Sequence, residues 1–337
     1  MRTWNDRHLR NQAHAEMVTK SASPFLGRTP SNVAYATQWG RMLSGMSDQI
    51  LDDGSLSRFE GKINLIFTSP PFPLNRKKRY GNETGDNYIH WLCKFGPLFK
   101  KMLAPNGSIV IEMGNSWEPG LPVMSTLALR ALLEFQSQND LYLCQEFVWQ
   151  NPAKLPSPAQ WVNVERIRVK DSFTKLWWMS PHHKPKANNQ RVLQAYSQAM
   201  KDLLQKGSYN AGTRPSEHNI GETSFLKNNG GAIPSNVLTF ANTLSSDSYH
   251  SYCRRNGHQM HPARMPSELA KFFIKFLTEP GDIVLDPFGG SNTTGAAAED
   301  LGRYWISVEA EQDYIVGSRG RFAGRITKDS SLNGSAP

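Results

Sequence analysis

The sequence predicts an α/β fold built on a mostly parallel sheet. Three observations lead there. Short apolar runs alternate with amphipathic stretches from about residue 32 to residue 322, the rhythm of strands joined by crossover helices. Several strand candidates, such as Ile63–Thr68 and Asp282–Asp286, are almost continuously apolar, as strands covered on both faces must be. Two of those runs end in turns rich in special residues. Ser69-Pro70-Pro71-Phe72 follows the first, and Pro287-Phe288-Gly289-Gly290-Ser291-Asn292-Thr293 follows the second. Ligands of open parallel sheets bind at the carboxyl ends of strands, beside a switch point. If the two strands are neighbours, the two turns share one crevice.

The elements follow in order. Residues 1–31 show no period and predict a flexible or adapted arm. Asn32–Thr37 and Ile63–Thr68 predict strands. Tyr88–Leu103 carries apolar residues at Ile89, Leu92, Phe95, Leu98, Phe99 and Leu103, which is helical spacing, and Pro105-Asn106-Gly107 stops it. Strands are predicted at 108–112, 143–149 and 175–179, with a helix over 124–135. From 181 to 258 the pattern weakens, Asn, Ser, Gly, Lys and Arg dominate, and one helix is predicted near 192–204. This stretch reads as an inserted region. Periodicity returns with a helix over 267–277, a strand over 282–286, a helix over 293–301, a strand over 304–309 and a helix over 312–322. A polar tail, 326–337, is predicted to be disordered.

Lys and Arg number 38 against 29 Asp and Glu, a net charge of +9. The pI near 9.4 fits a polyanionic partner, nucleic acid above all, although a basic protein without one has the same balance. Cys93, Cys144 and Cys253 have no regular spacing, which suits a reducing compartment and no disulfide framework. No stretch reads as a signal peptide or membrane span, so a cytoplasmic protein is expected.

The two turns also carry chemistry. Asp286 places a carboxylate at a strand end, and Gly289, Gly290 and Gly295 allow close backbone approach at the start of a helix. The pattern is not Gly-x-Gly-x-x-Gly, which weakens a dinucleotide reading. Glu309 ends the next strand, and a carboxylate there offers two acceptor oxygens to a pair of hydroxyls. Taken singly, the same residues could be a turn with Ser291 or Thr293 capping a helix. In the other turn, Pro70-Pro71 lack backbone donors and restrict φ, so the Ser69 hydroxyl and the Pro70 carbonyl are held as acceptors beside the Phe72 ring.

These motifs, in this order, resemble the amino-methyltransferases of bacterial DNA modification, and Ser-Pro-Pro-Phe resembles the N4-cytosine branch. The resemblance covers roughly Val33 to Phe322. The catalytic half precedes the cofactor half, which is similar to the beta arrangement of that family. It implies a Rossmann-like class I methyltransferase fold with permuted motif order. The catalytic half would span 32–180, a DNA-recognition region 181–258 and the S-adenosylmethionine half 259–325. It further implies methyl transfer from S-adenosylmethionine to N4 of cytosine in double-stranded DNA, functional pairing with a restriction endonuclease without a stable complex, and a monomer.

The resemblance also implies roles. Ser69 and Pro70 would accept from the two amino hydrogens of a flipped cytosine, turning a delocalised lone pair toward tetrahedral geometry, with Pro71 and Phe72 shaping and stacking the pocket. Glu112 would receive the amine proton directly or through water, unless it is a structural carboxylate. Asp286, Pro287, Phe288, Gly289, Gly290, Asn292, Thr293 and Glu309 would hold the cofactor. Pro262, in His261–Pro266, would cover its methionine end. An acidic residue often found after the first strand is absent, and Gln38 and Trp39 stand there instead, as an acceptor and a stacking ring for adenine. For DNA, the sequence offers Arg76, Lys77 and Lys78 to phosphates, unless that run is only a solvated basic loop. It also offers Lys154 within a segment that resembles the lining of the target-base pocket, Arg166, Arg168 and Lys170 alternating as on one strand face, and Arg214 in a recognition loop.

Other readings stay open: N6-adenine methylation, a non-catalytic DNA-binding module on the same fold, and, more distantly, a nicotinamide-dependent oxidoreductase. C5-methylation uses a cysteine after a proline. Here the cysteines follow Leu92, Leu143 and Tyr252, which argues against it. Among His250, Cys253, His258 and His261 only one is a cysteine, and no metal is expected of that set.

Overall fold

The computed structural model describes residues 23–25, 30–72, 85–242 and 247–327. Its main unit runs through residue 186 and resumes at 236, and a second compact unit comprises 187–235. The main unit contains β1 (Val33–Ala36), β2 (Gly40–Ser44), β3 (Ile63–Thr68), β4 (Leu103–Met113), β5 (Ser116–Trp117), β6 (Met124–Ser125), β7 (Tyr142–Gln150) and β8 (Phe173–Ser180). The second unit holds β9 (Gly212–Thr213) and β10 (Asn219–Ile220), and the main unit then adds β11 (Val237–Thr239), β12 (Ile283–Asp286) and β13 (Tyr304–Glu309). Nine of these strands form one sheet in the order β1-β2-β13-β12-β3-β4-β8-β7-β11. From β2 through β4 every pairing is parallel, so the ends of β2, β13, β12, β3 and β4 lie along one edge. β12 is the direct neighbour of β3, which is the juxtaposition that brings the two turns together.

Both sheet faces are covered, as the apolar runs require. β3 turns Ile63 and Ile66 to one apolar layer and Leu65 and Phe67 to the other. On the second face the helix Ser267–Leu277 buries Leu269, Ala270, Phe273, Ile274 and Leu277, spaced three or four apart. Phe273 stacks on Phe67 at 5.4 Å between ring centres, and burying such a ring contributes roughly 1.5–3 kcal/mol. The first face is covered by the helices Gly85–Cys93, Phe95–Met102 and Leu127–Gln138, which supply Leu92, Phe99 and Phe135 to that layer.

The departures from expectation have local causes. The single helix expected over 88–103 is two, broken at Lys94, because the ring of Pro97 collides with the carbonyl four residues earlier, that of Cys93. β2 and β11 were not foreseen. The region expected over 181–258 is narrower as a separate unit, because β11 joins the main sheet beside β7 and the helix Ser248–Asn256 belongs to the main unit. Within the second unit, the expected helix over 192–204 is a short turn at Asn189–Val192 followed by Gln198–Lys206, whose cap Ser197 accepts from the Met200 N–H. Phe25, assigned to a flexible arm, packs on Phe59 and Tyr304, with Arg41 over its ring. Ile326, assigned to the tail, bridges Thr37. Residues 1–22, 26–29 and 328–337 lie outside the described residues. Among the described residues, no helix is long and apolar enough to cross a membrane.

Candidate functional site

A cavity of about 400 Å³ opens along the edge where the parallel strands end. β12 delivers Asp286 into it. The carboxylate is fully buried, and its Oδ1 accepts from the Thr68 hydroxyl at 2.8 Å and from the Phe288 N–H at 3.1 Å. The Thr68 bond joins the ends of β3 and β12 directly. The turn after β12 then reverses tightly. Gly290 sits at φ +50, where a Cβ would lie 3.1 Å from His261 Nε2, so a side chain there is both strained and crowded. Asn292, at φ +55, caps the helix Thr293–Asp300 by accepting from the Gly295 N–H at 3.1 Å.

β13 supplies Glu309. Its Oε2 accepts from the Gly290 N–H at 2.7 Å and its Oε1 from the Glu311 N–H at 2.8 Å, and the Ala310 N–H also bonds the carboxylate, so its orientation is fixed by the backbone. Burial pushes the Asp286 carboxyl up to about 6, against the pull of the Thr294 and Thr68 hydroxyls and the Phe288 N–H. Burial also raises Glu309, and the Asp286 charge adds to the shift. Two carboxylates on adjacent strand ends, Asp286 buried and Glu309 partly buried, both line the cavity and suit a ligand with amine and hydroxyl donors. Phe288 forms an aromatic wall there with Trp91, 5.6 Å away, and Phe95, 5.1 Å away.

The other half of the cavity begins where β3 ends. Ser69, Pro70, Pro71 and Phe72 line it, and the Phe72 ring lies so close over Gly114 that a Cβ at 114 would be 2.8 Å from the ring. β4 adds Glu112, buried beside Ser69. Burial raises its carboxyl, while the hydroxyls of Ser69 and Thr174 and the charge of Lys154 pull it down. β7 and the segment after it add Trp149, Asn151 and Lys154, and Lys154 Nζ lies 3.8 Å from Asp171. The half-cavity thus combines fixed acceptors, two rings and one buried carboxylate.

Most sequence-predicted site residues meet here: Ser69 to Phe72, Glu112, Lys154, Pro262, Asp286 to Gly290, Thr293 and Glu309 all face the cavity. Four expectations need correction. Gln38 is exposed in the β1–β2 turn. β1 runs antiparallel to β2, so that turn lies at the opposite edge of the sheet. Trp39 stacks on Tyr304 at 5.0 Å instead of facing a ligand. Asn292 is fully buried behind the wall, its Oδ1 accepting also from Ser307 and its Nδ2 donating to Tyr35. Arg166, Arg168 and Lys170 do not share a strand face: a wide helical turn over Gln160–Val164 is followed by irregular chain. Arg168 is held inward, 3.8 Å over the Trp117 ring and bonded to the Pro122 carbonyl at 2.6 Å. Lys170 is exposed and donates to the carbonyls of Pro152 and Lys154.

Arg214 is part of the second unit, where its guanidinium donates to the Asn210 carbonyl. Arg76, Lys77 and Lys78 lie outside the described residues. Among the described residues, His250, Cys253, His258 and His261 form no metal cluster; His250 pairs with Asp247 and Arg264.

Several cavity residues escaped the sequence reading. Ser47 and Asp48 follow β2 into the cavity, and Ser47 donates to the Pro287 carbonyl. Asp48, unlike Gln38, is an acidic residue past the end of a parallel strand and lines the cavity. Asn242 enters from beyond β11. Its sequence signal, a single Asn after Phe240 and Ala241, is not distinctive.

Fold and cavity define a class, and the comparisons agree with it. The family described as DNA methylase matches residues 63–318, and the chain belongs to that family. Among particular relatives, Type II methyltransferase M.PvuII of Proteus hauseri is 43% identical over 310 residues, covering 91% of this chain and 90% of the relative. Type II methyltransferase M.BglII of Bacillus subtilis is 26% identical over 263 residues, 76% of this chain and 62% of its own length. The solved structure of PvuII DNA methyltransferase (cytosine-N4-specific) superposes with a TM-score of 0.70 at 37% identity, covering 88% of this chain and 90% of that one.

Proposed function

We propose that this protein transfers a methyl group from S-adenosylmethionine to N4 of cytosine in double-stranded DNA. The observation that carries the reading is that the Ser69–Phe72 loop and the Asp286–Glu309 pair open into one cavity from adjacent strand ends. The resemblance to M.PvuII, and to a structure named as cytosine-N4-specific, supports it.

The cavity fits the cofactor. Asp286 is the carboxylate offered to its amino group, and Glu309 the one offered to the ribose hydroxyls. Gly290 keeps the turn free of a side chain, Phe288 with Trp91 and Phe95 gives an aromatic wall, and Pro262 closes the methionine side. Asp48 stands at the adenosyl end in the place expected of Gln38. When bound, the cofactor supplies an electrophilic methyl group.

The chain's own residues prepare the nucleophile. The Ser69 hydroxyl and the Pro70 carbonyl each accept one amino hydrogen, which draws the nitrogen out of conjugation with the ring. Phe72, braced on Gly114, stacks on the flipped base. Glu112 takes the proton released from the amine. Its burial raises its affinity for that proton.

The net charge of +9 favours DNA, with Lys154, Lys170, Arg166, Arg214 and the Arg76–Lys78 run offered to it and Arg168 acting through its packing on Trp117. The 187–235 unit serves recognition. The protein acts in the cytoplasm as a monomer, paired functionally with a restriction endonuclease.

The test is nucleoside mass spectrometry of plasmid DNA from cells expressing the protein, run for the native enzyme and for Ser69→Ala. N4-methylcytosine is expected. Ser69→Ala should lose on the order of a hundredfold in turnover with cofactor affinity unchanged. N6-methyladenine as the sole product would remove the base assignment. A fully active Ser69→Ala enzyme would remove the role given to Ser69.

A further inference from the structure

We infer that Asn151 determines target-base specificity, its Nδ2 donating a hydrogen bond to the ring acceptors of the cytosine whose amine is held at Ser69 and Pro70. The inference rests on the reading under Proposed function.

Asn151 is the first residue after β7 and faces the cavity. Its Oδ1 is already used twice, accepting from the Ala153 N–H at 3.1 Å and from the Asn242 N–H at 3.3 Å. Backbone N–H groups only donate, so the amide has one permitted orientation and Nδ2 is its outward end. That Nδ2 has no protein partner among the described residues. The backbone is pinned as well: the Asn151 N–H donates to the Ser172 carbonyl at 2.8 Å. Next to it, Trp149 Nε1 donates to the Phe240 carbonyl at 2.9 Å. Asn151 is therefore a neutral donor fixed in direction before any base arrives.

The neighbouring polar groups are complementary to it. Ser69, the Pro70 carbonyl and Glu112 are offered as acceptors and suit an amine. Another donor in the lining, Lys154, lies beside Asp171 and exerts its charge on Glu112. Cytosine presents, next to its amine, the ring N3 and the O2 carbonyl, both acceptors. Thymine and uracil present an N3–H at the first of these places, which would confront Nδ2 donor to donor. A site built to hydrogen-bond an acceptor rejects a base that lacks it far better than an apolar pocket could.

The alternative is that Asn151 only ties the loop together. Asn151→Asp separates the two roles. It keeps the oxygen that receives both N–H groups and replaces the donor with an acceptor, whereas Asn151→Ala loses both. The assay uses purified full-length variants and synthetic duplexes carrying the modified sequence. The target position holds cytosine, 3-deazacytosine, which lacks the N3 acceptor, or 2-thiocytosine, which weakens the O2 acceptor.

Asn151→Asp should lower kcat/KM on cytosine by on the order of a hundredfold while cofactor affinity stays unchanged. On at least one analogue the ratio of wild type to variant should shrink by about tenfold or more, because the interaction is already missing from the substrate. Wild-type activity in Asn151→Asp overturns the inference, as does the same loss on all three bases. The wild-type product on the cytosine duplex is identified first. If it is N4-methylcytosine, a negative cycle removes only Asn151. If cytosine is not methylated, the reading of the site itself has failed.

Discussion

Asn292 separates a scaffolding role from a cofactor contact. Its side chain lies in a directed chain of hydrogen bonds: Nδ2 donates to Tyr35 Oη at 3.0 Å, Tyr35 donates to Ser318 Oγ at 2.7 Å, and Ser318 donates to the Ile315 carbonyl at 2.7 Å. Oδ1 receives the Gly295 N–H and, at 2.8 Å, the Ser307 hydroxyl. Asn292→Ala removes a helix cap, costing about 1 kcal/mol. It leaves the buried Ser307 hydroxyl without its acceptor, about 1–3 kcal/mol. It also puts a non-glycine, non-Asn residue at φ +55, about 1 kcal/mol more. The expected destabilisation is roughly 3–5 kcal/mol. Asn292→Gly avoids the backbone strain and should recover about 1 kcal/mol of it. Urea unfolding followed by tryptophan fluorescence reads this directly, since Trp305 is buried against Phe322 and bonded to Glu299. In the folded range the affinity for S-adenosylmethionine should stay within a few-fold of wild type. Unchanged stability with a tenfold or greater loss of affinity would show that Asn292 touches the cofactor and that the capping argument is wrong.

Two further outcomes are expected. Asp286, pushed up to about 6 by burial, gives the ligand-free protein a stabilising term that is present below about 4 and lost as pH rises through about 6. Because the ionised form is the one that receives an amine, S-adenosylmethionine affinity should rise with pH across that range in wild type and stay flat and weak in Asp286→Asn. Calorimetry from pH 5 to 8 checks this, and a pH-independent wild type would count against the role. Neutralising Arg76, Lys77 and Lys78 together should weaken binding to all DNA sequences and reduce the slope of log affinity against log salt by up to about 3, if all three meet phosphates. An unchanged slope would make that run a solvated surface.

The centre of the fold was legible because physics leaves little choice there. β3, β12 and β13 are apolar on both faces, and the turns that follow them line the cavity. β2 was missed because Gly40-Arg41-Met42-Leu43-Ser44 hides its apolar residues behind an arginine. In the structure Arg41 turns back to the Thr37 and Gly40 carbonyls, a contact invisible to local pattern. Without β2, the acidic position after the first strand falls at Gln38, at the wrong edge. β11 is three residues long and owes its place to pairing with β7. The break at Lys94 could have been read from Pro97. The orientation of Asn151 could not, since it depends on Asn242, 91 residues away.

The bond between Thr68 and Asp286 joins residues 218 positions apart in sequence. On a ribosome adding about 5–20 residues per second, β3 is made on the order of ten to forty seconds before β12 exists to lie beside it. Through that interval β3 has an unpaired edge, and Phe67 lacks Phe273, the ring that later covers it. The nascent chain therefore carries an exposed apolar strand that has to be shielded from other chains. Neither half encloses the cavity alone, so no methylation can precede the emergence of Glu309.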